Sequence, residues 1–563
     1  MCQRAWIELD RLNHQVKVHI ASDEQRMINA VNAFQPDLII APYLKTKIPA
    51  NIYKNHTCLV VHPGIPGDRG SSSLDWVIMK NKKEWGVTII QATEKMDAGP
   101  VWASAHFPMK NLPKSFLYRH QVTNAAMECL RQAVKDFEKG TFVPEHQPSK
   151  GIWKRSANEN DFRFSWTEET ETIIRKINAA DSSPGALCSI VGQEFYCYGV
   201  VEEELLTGPA GEILAQRNDA VCVATKDGAV WLQCLKENKE GSVKLPAVMA
   251  LKEKGKEIPV SPVDILGDNL TLKTYREIWY EVLNEVGYLH FDFYNGAMST
   301  AQCHRLLEVF KKVKQRNTKV IVLMGGRDLW SNGIHLNIIE ASENPAQTSW
   351  ENIHALNDLI KEIIYTDSHY IISALQGNAG AGGVSLALAA DKVLAKKGIV
   401  FNPHTRNMGL YGSEYWTYLL PKRIGVERAN LFTEQCLPWG TDIALEVKLI
   451  DAHFYGTAEV FGDKIKQTAE EIASLTYFPQ LLASKKFRRT RDERFKPLQQ
   501  YRDEELEKMH KNFFEDDWGY HWKRHCFVHK INPATNDITE KDLFSERRKI
   551  WRRRKYEKMF YEV

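Results

Sequence analysis

The sequence predicts an α/β protein with four parts: a parallel-sheet unit, a small β-barrel, a second α/β unit and a helical C-terminal tail. Strand and helix patterns alternate in residues 1–150 and again in residues 270–480, which is typical of parallel sheets covered by helices. Residues 159–265 carry short apolar segments separated by frequent turns, which predicts an OB-like barrel. Residues 481–563 are rich in Arg, Lys and aromatic side chains and are predicted to be helical. A length of 563 residues allows three or four domains.

Apolar periodicity places the elements of the first unit. Strands are predicted at Gln15–Ile20, Asp37–Pro42, Cys58–Val61 and Val87–Gln91, and helices at Asp23–Phe34, Ser71–Asn81 and Tyr118–Gly140. The chain begins on a helical pattern with apolar Ala5, Trp6 and Leu9, and in this type of unit a strand comes before such a helix. We therefore expect the true start upstream of Met1, with the central strand and a ligand-contacting loop missing.

The remaining units follow a polar linker predicted at Gln147–Asn158. In the barrel, a helix is predicted at Ile173–Ala180 and strands at Cys188–Val191, Glu194–Val200, Gly211–Leu214, Ala220–Ala224 and Ala229–Gln233. In the second α/β unit, strands are predicted at Val286–Phe291, Val320–Met324 and Tyr370–Leu375, and helices at Thr300–Arg316 and Trp350–Thr366. In the tail, Asp503–Phe513 is predicted to be a helix.

Composition argues against several classes of function. A net charge of only +3 gives no global signal for nucleic-acid binding. The ten cysteines lack a Cys-x-x-Cys pair or a metal-type spacing, which fits reduced thiols in a cytoplasmic protein better than a disulfide framework. The sequence has no run of 18 apolar residues and no apolar signal core, so neither a membrane span nor a signal peptide is expected.

Residues 60–70 read Val-Val-His-Pro-Gly-Ile-Pro-Gly-Asp-Arg-Gly, a fixed loop that follows a buried strand. This places His62 at the carboxyl end of a strand, where open α/β sheets bind their ligands. Asp97 lies on a second tight loop, after the strand Val87–Gln91. A histidine and a carboxylate at neighbouring strand ends are suited to proton transfer. Alternatively, His62 only ends a strand and Asp97 only starts a turn.

This pairing resembles the formyltransferases that use N10-formyltetrahydrofolate, in which an Asn-x-His-Pro loop and an Asp-x-Gly loop form the active site. The resemblance implies that His62 and Asp97 are catalytic. The family's asparagine falls on Val60, so the amide that would polarise the formyl oxygen is missing. The segment around the predicted strand Asp37–Pro42 also matches the family. It implies folate contacts from Tyr43, Leu44, Lys45 and Asp97, although residues 43–45 also fit an ordinary loop. The barrel is similar to the one that follows the catalytic domain in methionyl-tRNA formyltransferases.

The second α/β unit has two glycine turns, Gly333-Ile334 and the glycine-rich run 377–383 before an apolar helix. The pair resembles the enoyl-CoA hydratase/isomerase (crotonase) family, in which two backbone N–H groups polarise an acyl-CoA thioester. The resemblance implies that Ile334 and Gly382 form this oxyanion hole and that Gly333 and Gly383 help to bind CoA. Backbone donors need no particular side chain, so they survive substitution. Alternatively, these glycines only allow the helix to pack closely on the sheet.

The acid and base positions of the crotonase family are not kept. Its first catalytic glutamate falls on Ser385, and its second falls near Thr405, so hydration by two glutamates is excluded. The candidates for acid or base nearby are Ser385, His404, Tyr411, Glu414 and Tyr415, and His335 lies beside the oxyanion turn; each also fits a packing or surface role.

The tail carries two further patterns. His521, His525 and His529 repeat every four residues, but no carboxylate completes a His-Glu-x-x-His motif, so no metal site is predicted. Arg547 and Arg548 belong to a basic cluster that suits either a solvated face or a clamp for the phosphates of CoA.

The order of the three domains resembles the hydrogenase maturation family HypX, also called HoxX. The resemblance implies carbon monoxide synthesis for a [NiFe]-hydrogenase: a formyl group passes from N10-formyltetrahydrofolate to CoA, and formyl-CoA is then decarbonylated. The implied cosubstrates are N10-formyltetrahydrofolate and coenzyme A, and the implied partners are small molecules and other hydrogenase maturation proteins. Two alternatives remain: a formyltetrahydrofolate hydrolase that releases formate, and a non-catalytic scaffold that binds folate and CoA.

Overall fold

The structure, a computed structural model, describes residues 1–44, 46–147, 151–266 and 271–531. The first unit contains α1 (Cys2–Arg11), α2 (Glu24–Phe34), β1 (Leu38–Ala41), α3 (Ala50–Tyr53), β2 (Thr57–His62), β3 (Asp68–Arg69), α4 (Ser73–Met79), β4 (Glu84–Gln91), β5 (Val101–Pro108), α5 (Lys114–Leu117) and α6 (Thr123–Lys139). Strand β6 (Ile152–Trp153) lies in the predicted linker and pairs with β3.

The sheet of the first unit has the order β1-β2-β4-β5. Strands β1 and β2 are parallel, as predicted, whereas β4 runs antiparallel to both β2 and β5. The strand predicted at Gln15–Ile20 is wrong: this segment has no regular secondary structure, and Ile20 is 69% exposed. Alternating apolar residues form a strand only where a neighbouring strand accepts their hydrogen bonds, and no described strand pairs here. The helix predicted at the start is confirmed as α1, with Ala5 and Trp6 buried.

The second unit is built on an antiparallel sheet. Its elements are α7 (Glu159–Phe162), α8 (Thr170–Ala180), β7 (Ala186–Ile190), β8 (Gln193–Glu203), β9 (Ile213–Arg217), β10 (Ala220–Ala224), β11 (Ala229–Glu237), β12 (Leu245–Pro246), α9 (Ala247–Ala250) and α10 (Glu253–Lys256). The strand order is β7-β8-β11-β10-β9, so all five predicted strands are present. Within the described ranges no backbone pairing closes β7 onto β9, so the sheet is an open form of the predicted barrel. It shares one hydrophobic core with the first unit, which joins Ile89 to Val221.

The third unit contains β13 (Ile278–Leu283), β14 (Val286–Phe291), α11 (Thr300–Val313), β15 (Val320–Leu323), β16 (Leu329–Ser331), α12 (Leu336–Ala341), α13 (Pro345–Tyr365), β17 (Tyr370–Leu375), β18 (Asn378–Gly380), α14 (Gly382–Leu388), β19 (Lys392–Lys396), β20 (Val400–Asn402), α15 (Trp416–Ile424), α16 (Val426–Gln435), β21 (Trp439–Gly440), α17 (Thr441–Glu446), β22 (Ala452–Phe454) and α18 (Ala458–Ala473). The main sheet, β13-β14-β15-β17-β19-β22, is parallel from β14 onwards. A smaller sheet, β16-β18-β20-β21, carries both glycine turns.

The tail packs on the third unit through α19 (Phe478–Phe495), α20 (Leu498–His510) and α21 (Tyr520–His529). The predicted boundary at 480/481 falls inside α19, so it does not separate two structural units. Met509, Phe513 and Tyr520 are buried against Ile353 of α13 and Leu410. No helix in the described part of the chain is both long enough and apolar enough to cross a bilayer.

Two candidate active sites

The first site is centred on His62, the last residue of β2, which is buried with 4% of its surface exposed. Its Nε2 lies 3.2 Å from Oδ2 of Asp68 and donates to it, since a carboxylate oxygen can only accept. A methyl group at Gly64 would collide with Nε2 of His62, which explains a glycine two residues after the histidine. The loop therefore wraps closely around the imidazole and fixes its orientation.

Asp68 holds this imidazole and is itself held by Ser73 and Lys154. The Ser73 hydroxyl donates to Oδ2, and Nζ of Lys154 lies 2.5 Å from Oδ1. Burial disfavours the charge on Asp68, but the hydrogen bonds from His62, Lys154 and Ser73 outweigh it, and the pKa of Asp68 lies below its ordinary value. The sequence interpretation missed Lys154 because it lies in the predicted linker; strand β6 brings it to the site by pairing with β3.

Asp97 approaches the other side of the ring, with Oδ1 3.8 Å from Nδ1 of His62. The sequence interpretation assumed that His62 and Asp97 follow strand ends at the same edge of the sheet, and this assumption is wrong. Because β4 is antiparallel to β2, the loop after Gln91 leaves the sheet beside Leu59, and residues 92–100 fold back to reach His62. Asp97 itself has φ of 53°, and its Oδ2 accepts the N–H of Gly70 at 3.1 Å.

Gln147, a second linker residue missed from sequence, fixes the Asp97 loop. Its side-chain NH2 donates to the carbonyls of Asp97 and Gly99, and its Oε1 accepts the N–H of Gly67. His62 thus lies between two anchored carboxylates, an arrangement that can hold and transfer a proton.

The predicted folate-contacting residues lie near this site with different exposure. Tyr43 is 56% exposed and meets the ring of Tyr118 edge-on at 6.5 Å, whereas Leu44 is half-buried against the apolar cluster around Ile52. Lys45 lies outside the described residues. Val60, at the position of the missing asparagine, packs against the same apolar cluster.

In the second site, the two glycine turns come together. Gly333 has φ of 75°, and a methyl group there would lie 3.2 Å from the nitrogen of Gly382. At Gly383 a methyl group would collide with the carbonyl oxygen of Ser331, so this position requires glycine for close packing of α14 on β16. The Gly333 turn, which leads directly into Ile334, therefore lies against the backbone of Gly382, as the proposed oxyanion hole requires.

Glu414 places its carboxyl directly against this pair. It is 4% exposed, and a methyl group at Gly382 would collide with its Oε1. Burial raises the pKa of Glu414 to about 8. Glu414 and Tyr415 have φ of 61° and 59°, a conformation that costs roughly 1–3 kcal/mol per residue and needs support from its surroundings.

The support comes from Asn357 and Glu505. Asn357 accepts the N–H of Glu414 at 2.8 Å, and Glu505 of α20 accepts the N–H groups of Tyr415 and Thr417, each at 2.9 Å. Burial raises the pKa of Glu505 to about 7, against the hydrogen bonds from Thr417 and Tyr415 that favour its charged form. Neither support residue was identified from sequence, because both come from helices distant along the chain.

The other predicted acid–base candidates in the second site differ in position and in their contacts. Nδ1 of His404 donates to the carbonyl of Asn402 at 2.8 Å, which leaves Nε2 as an acceptor, and the ring lies over Gly380. Burial lowers the pKa of His404, so the ring is neutral at neutral pH. Ser385 is buried on α14, and the buried Tyr415 faces Arg502 of α20.

Two of the remaining candidates, Tyr411 and His335, are engaged in packing or helix-capping contacts, and the others lie outside the described residues. Tyr411 packs against Trp416 under Lys508. Burial lowers the pKa of His335 to about 4, and its Nδ1 accepts the N–H of Ile338 at the start of α12. Arg547 and Arg548 lie outside the described residues.

Polar contacts join the unit that carries the first site to the unit that carries the second. Arg119 donates to both carboxylate oxygens of Asp328, which directly precedes β16. Burial disfavours the charge on Asp328, but hydrogen bonds from Arg119 and His120 outweigh it and lower its pKa to about 2. Arg119 directly follows Tyr118, whose ring contacts Tyr43, and Asp328 directly precedes β16, which leads into the Gly333 turn.

Comparison with known families agrees with these divisions. Residues 13–134 match the formyl transferase family, residues 157–250 the formyl transferase C-terminal domain, and residues 286–533 the enoyl-CoA hydratase/isomerase family. The third match extends through α21, in agreement with the packing of the tail on the second site.

Two relatives match this chain over almost its whole length. The chain is 41% identical over 544 residues to the hydrogenase maturation factor HoxX of Bradyrhizobium diazoefficiens, covering 96% of this chain and 94% of that protein. A crystal structure of HypX from Aquifex aeolicus in complex with tetrahydrofolic acid matches with 42% identity and a TM-score of 0.92, covering 97% of each chain. A methionyl-tRNA formyltransferase of Streptococcus equi is 27% identical over 207 residues, covering 36% of this chain and 64% of that protein.

Proposed function

The chain belongs to the HoxX/HypX family of hydrogenase maturation factors, and from this premise we propose that it synthesises carbon monoxide for the iron centre of a [NiFe]-hydrogenase. The formyl group of N10-formyltetrahydrofolate passes to CoA at the first site, and formyl-CoA is decarbonylated at the second. The observation that carries the proposal is Glu414, a buried carboxyl with a raised pKa that lies against the oxyanion glycine.

In the first step, the CoA sulphur attacks the formyl carbon and the bond from that carbon to N10 breaks. Asp97 accepts the thiol proton, and His62, whose Nδ1 lies 3.8 Å from Asp97, returns that proton to the departing N10, so the step needs no outside acid or base. The anchoring of His62 by Asp68 supports this role, because general acid–base groups must be held within reach of the reacting atoms. The folate complex of the Aquifex aeolicus relative supports folate as the donor.

In the second step, the N–H groups of Ile334 and Gly382 bind the thioester oxygen. The ionised form of Glu414 takes the proton from the formyl carbon, the carbon–sulphur bond breaks, and the thiolate recovers the proton. The products are CO and free CoA, so no oxidant or reductant is needed. A pKa of about 8 is close to that of a thiol, which suits a group that exchanges one proton between carbon and sulphur.

The two steps require the thioester to travel between the sites. The Arg119–Asp328 ion pair supports this, because it fixes the unit of His62 to the loop before β16. A second contact has the same effect: Asn337 donates to the carbonyl of Lys244, so the third unit is also tied to the second. The proposal therefore treats the three units as one rigid enzyme.

The test supplies purified protein with N10-formyltetrahydrofolate and CoA and measures three products: CO by trapping on a haem protein, formate and tetrahydrofolate. We expect CO and tetrahydrofolate in equal amounts. Glu414→Gln should keep tetrahydrofolate release and lose CO, with formyl-CoA accumulating. The control is Glu459→Gln, which removes an exposed acid of α18.

Other outcomes contradict the proposal in different ways. Formate without CO identifies a formyltetrahydrofolate hydrolase, and folate and CoA binding without tetrahydrofolate release identifies a scaffold. CO release that survives Glu414→Gln removes Glu414 from the chemistry.

A further inference from the structure

Helix α21 and helix α12 bring three metal-type ligands together. Nδ1 of His525 lies 2.7 Å from Oε1 of Glu340, and Nε2 of His529 lies 3.4 Å from the same oxygen. One ligand atom from each of the three residues lies within 4.8 Å of the others. We propose that Glu340, His525 and His529 bind a divalent transition-metal ion of the zinc type, which fastens α21 to α12.

The donor set fits such an ion. His525 and His529 are four residues apart on one helix, so both rings lie on the same face. Sequence alone offers no carboxylate nearby, but α12 supplies Glu340 from almost two hundred residues upstream. Two imidazoles and one carboxylate are a common three-residue set for zinc, with the fourth position left open.

The distances require only a small adjustment. In a tetrahedral zinc site with metal–ligand bonds near 2.0–2.1 Å, neighbouring donor atoms are ~3.3 Å apart. The pair His529–Glu340 already has this spacing, and the shorter His525–Glu340 distance is that of a hydrogen bond. The side chain of His525 is 41% exposed. Its ring therefore has room to move away from Oε1 of Glu340 by the few tenths of an ångström that a bound ion needs.

Arg524 holds the carboxylate in the orientation that the ion requires. Its Nε donates to Oε2 of Glu340 at 2.7 Å, so Oε1 remains directed at the two histidines. Partners of this kind orient carboxylate ligands in many metal sites. The Glu340 side chain is only 11% exposed, so the charge of the ion would be partly shielded from water.

The third histidine of the repeat does not belong to the site. Nε2 of His521 contacts the carbonyl of Phe513 at 2.8 Å, and its Nδ1 accepts from Arg524 at 2.8 Å. Both ring nitrogens are therefore occupied. The site is thus built from two of the three histidines and from a residue outside the repeat.

The ion would act next to the second active site. Helix α12 begins two residues after Ile334, so a metal between α12 and α21 restrains the segment that follows the oxyanion turn. This inference does not depend on CO synthesis, since it concerns binding and local stability.

The test uses the full-length protein without a histidine tag, after removal of bound metal with a chelator. Co²⁺ is titrated and its visible absorption recorded, and Zn²⁺ is then added as a competitor. We expect one equivalent of Co²⁺ to bind, with absorption bands typical of four-coordinate cobalt that disappear when Zn²⁺ displaces it. His529→Ala and Glu340→Gln should each weaken binding by about tenfold or more.

The control is His304→Ala, which removes an exposed histidine of α11 in the same unit and should leave the titration unchanged. Hydrogen exchange of residues 520–529, measured on the same samples, should slow on addition of Zn²⁺ only where Glu340 and both histidines are intact. If an alanine variant fails to fold, Glu340→Gln, which keeps the side-chain shape, decides the question. The inference is overturned if the wild type binds no ion, or if Glu340→Gln and the wild type bind Co²⁺ equally.

Discussion

Glu505→Gln tests whether the tail helix α20 builds the second active site. The carboxylate accepts hydrogen bonds from the Tyr415 and Thr417 N–H groups and from the hydroxyls of Ser413 and Thr417. A glutamine has one acceptor oxygen, so an NH2 group must face one of the two buried N–H groups. Leaving a buried donor without a partner costs roughly 1–3 kcal/mol.

The hydrogen bonds from Glu505 stabilise the strained turn at Glu414 and Tyr415, so their loss destabilises this turn. For a unit of this size, we expect the melting temperature to fall by roughly 2–4 °C per kcal/mol. Because the turn positions the Glu414 carboxyl beside Gly382, CO release should fall strongly, whereas tetrahydrofolate release at the first site, which lies in another unit, should be kept.

The matched control is Glu504→Gln, one residue earlier on α20. Glu504 pairs with Lys496 at the surface with 51% of its side chain exposed, so its loss should cost at most about 1 kcal/mol. The measurements are thermal unfolding followed by circular dichroism and the three-product assay. The reasoning is refuted if Glu505→Gln and Glu504→Gln have the same melting temperature and the same yield of CO.

Three further predictions use the same assay. Asp68→Asn should lower tetrahydrofolate release about 10²-fold, since the amide has one acceptor oxygen and its NH2 group must face either His62 or Lys154; CO release from added formyl-CoA should not change. Gly382→Ala should lower CO release about 10²–10⁴-fold, because its methyl group collides with the Glu414 carboxyl and displaces the base; a normal rate would contradict the role of Glu414 beside Gly382. Decarbonylation of added formyl-CoA should rise with pH through about 8 as Glu414 ionises; a pH profile flat across that range would refute the base assignment.

Stability should have the opposite pH dependence. The folded-state pKa values of Glu414 and Glu505 are raised to about 8 and about 7, so the folded protein retains protons that the unfolded chain loses above its ordinary carboxyl pKa. Each carboxyl group makes its full contribution to the free energy of unfolding at pH values below the ordinary carboxyl pKa. This contribution is lost as the pH rises through the folded-state pKa. The melting temperature should therefore fall from about pH 5 to about pH 8, and Glu414→Gln should make this fall smaller.

Sequence alone was sufficient for the features that depend on local pattern. The HoxX/HypX family assignment, the α/β class and the hydrogenase maturation role are confirmed. Most strands were found because they are buried apolar runs; Val286–Phe291 and Tyr370–Leu375 have the predicted bounds. The assignments of His62, Asp97, Ile334 and Gly382 to catalysis stay predictions, although the structure places each pair together.

The errors share one physical cause: the sequence pattern does not reveal pairing partners. Gln15–Ile20 alternates correctly but has no neighbouring strand, and the direction of β4 cannot be read from its residues. Strand β5 was missed because its outer face is polar and its pattern is interrupted. Likewise, Lys154 lies in a polar stretch that is ordinary for a linker.

The tail gives the strongest case of this limit. Read locally, α20 is a charged helix, and Glu505 is one of several acidic residues on it, with no pattern to distinguish it from Glu504. Only packing buries Glu505 and sets it under the turn of Glu414. A buried carboxylate with four donors is expensive to remove and offers no apolar contact, so its position is explained by the turn that it supports. It follows that a chain truncated before α20 should keep the first chemistry and lose the second, even though every residue predicted to touch the thioester in the glycine turns is still present.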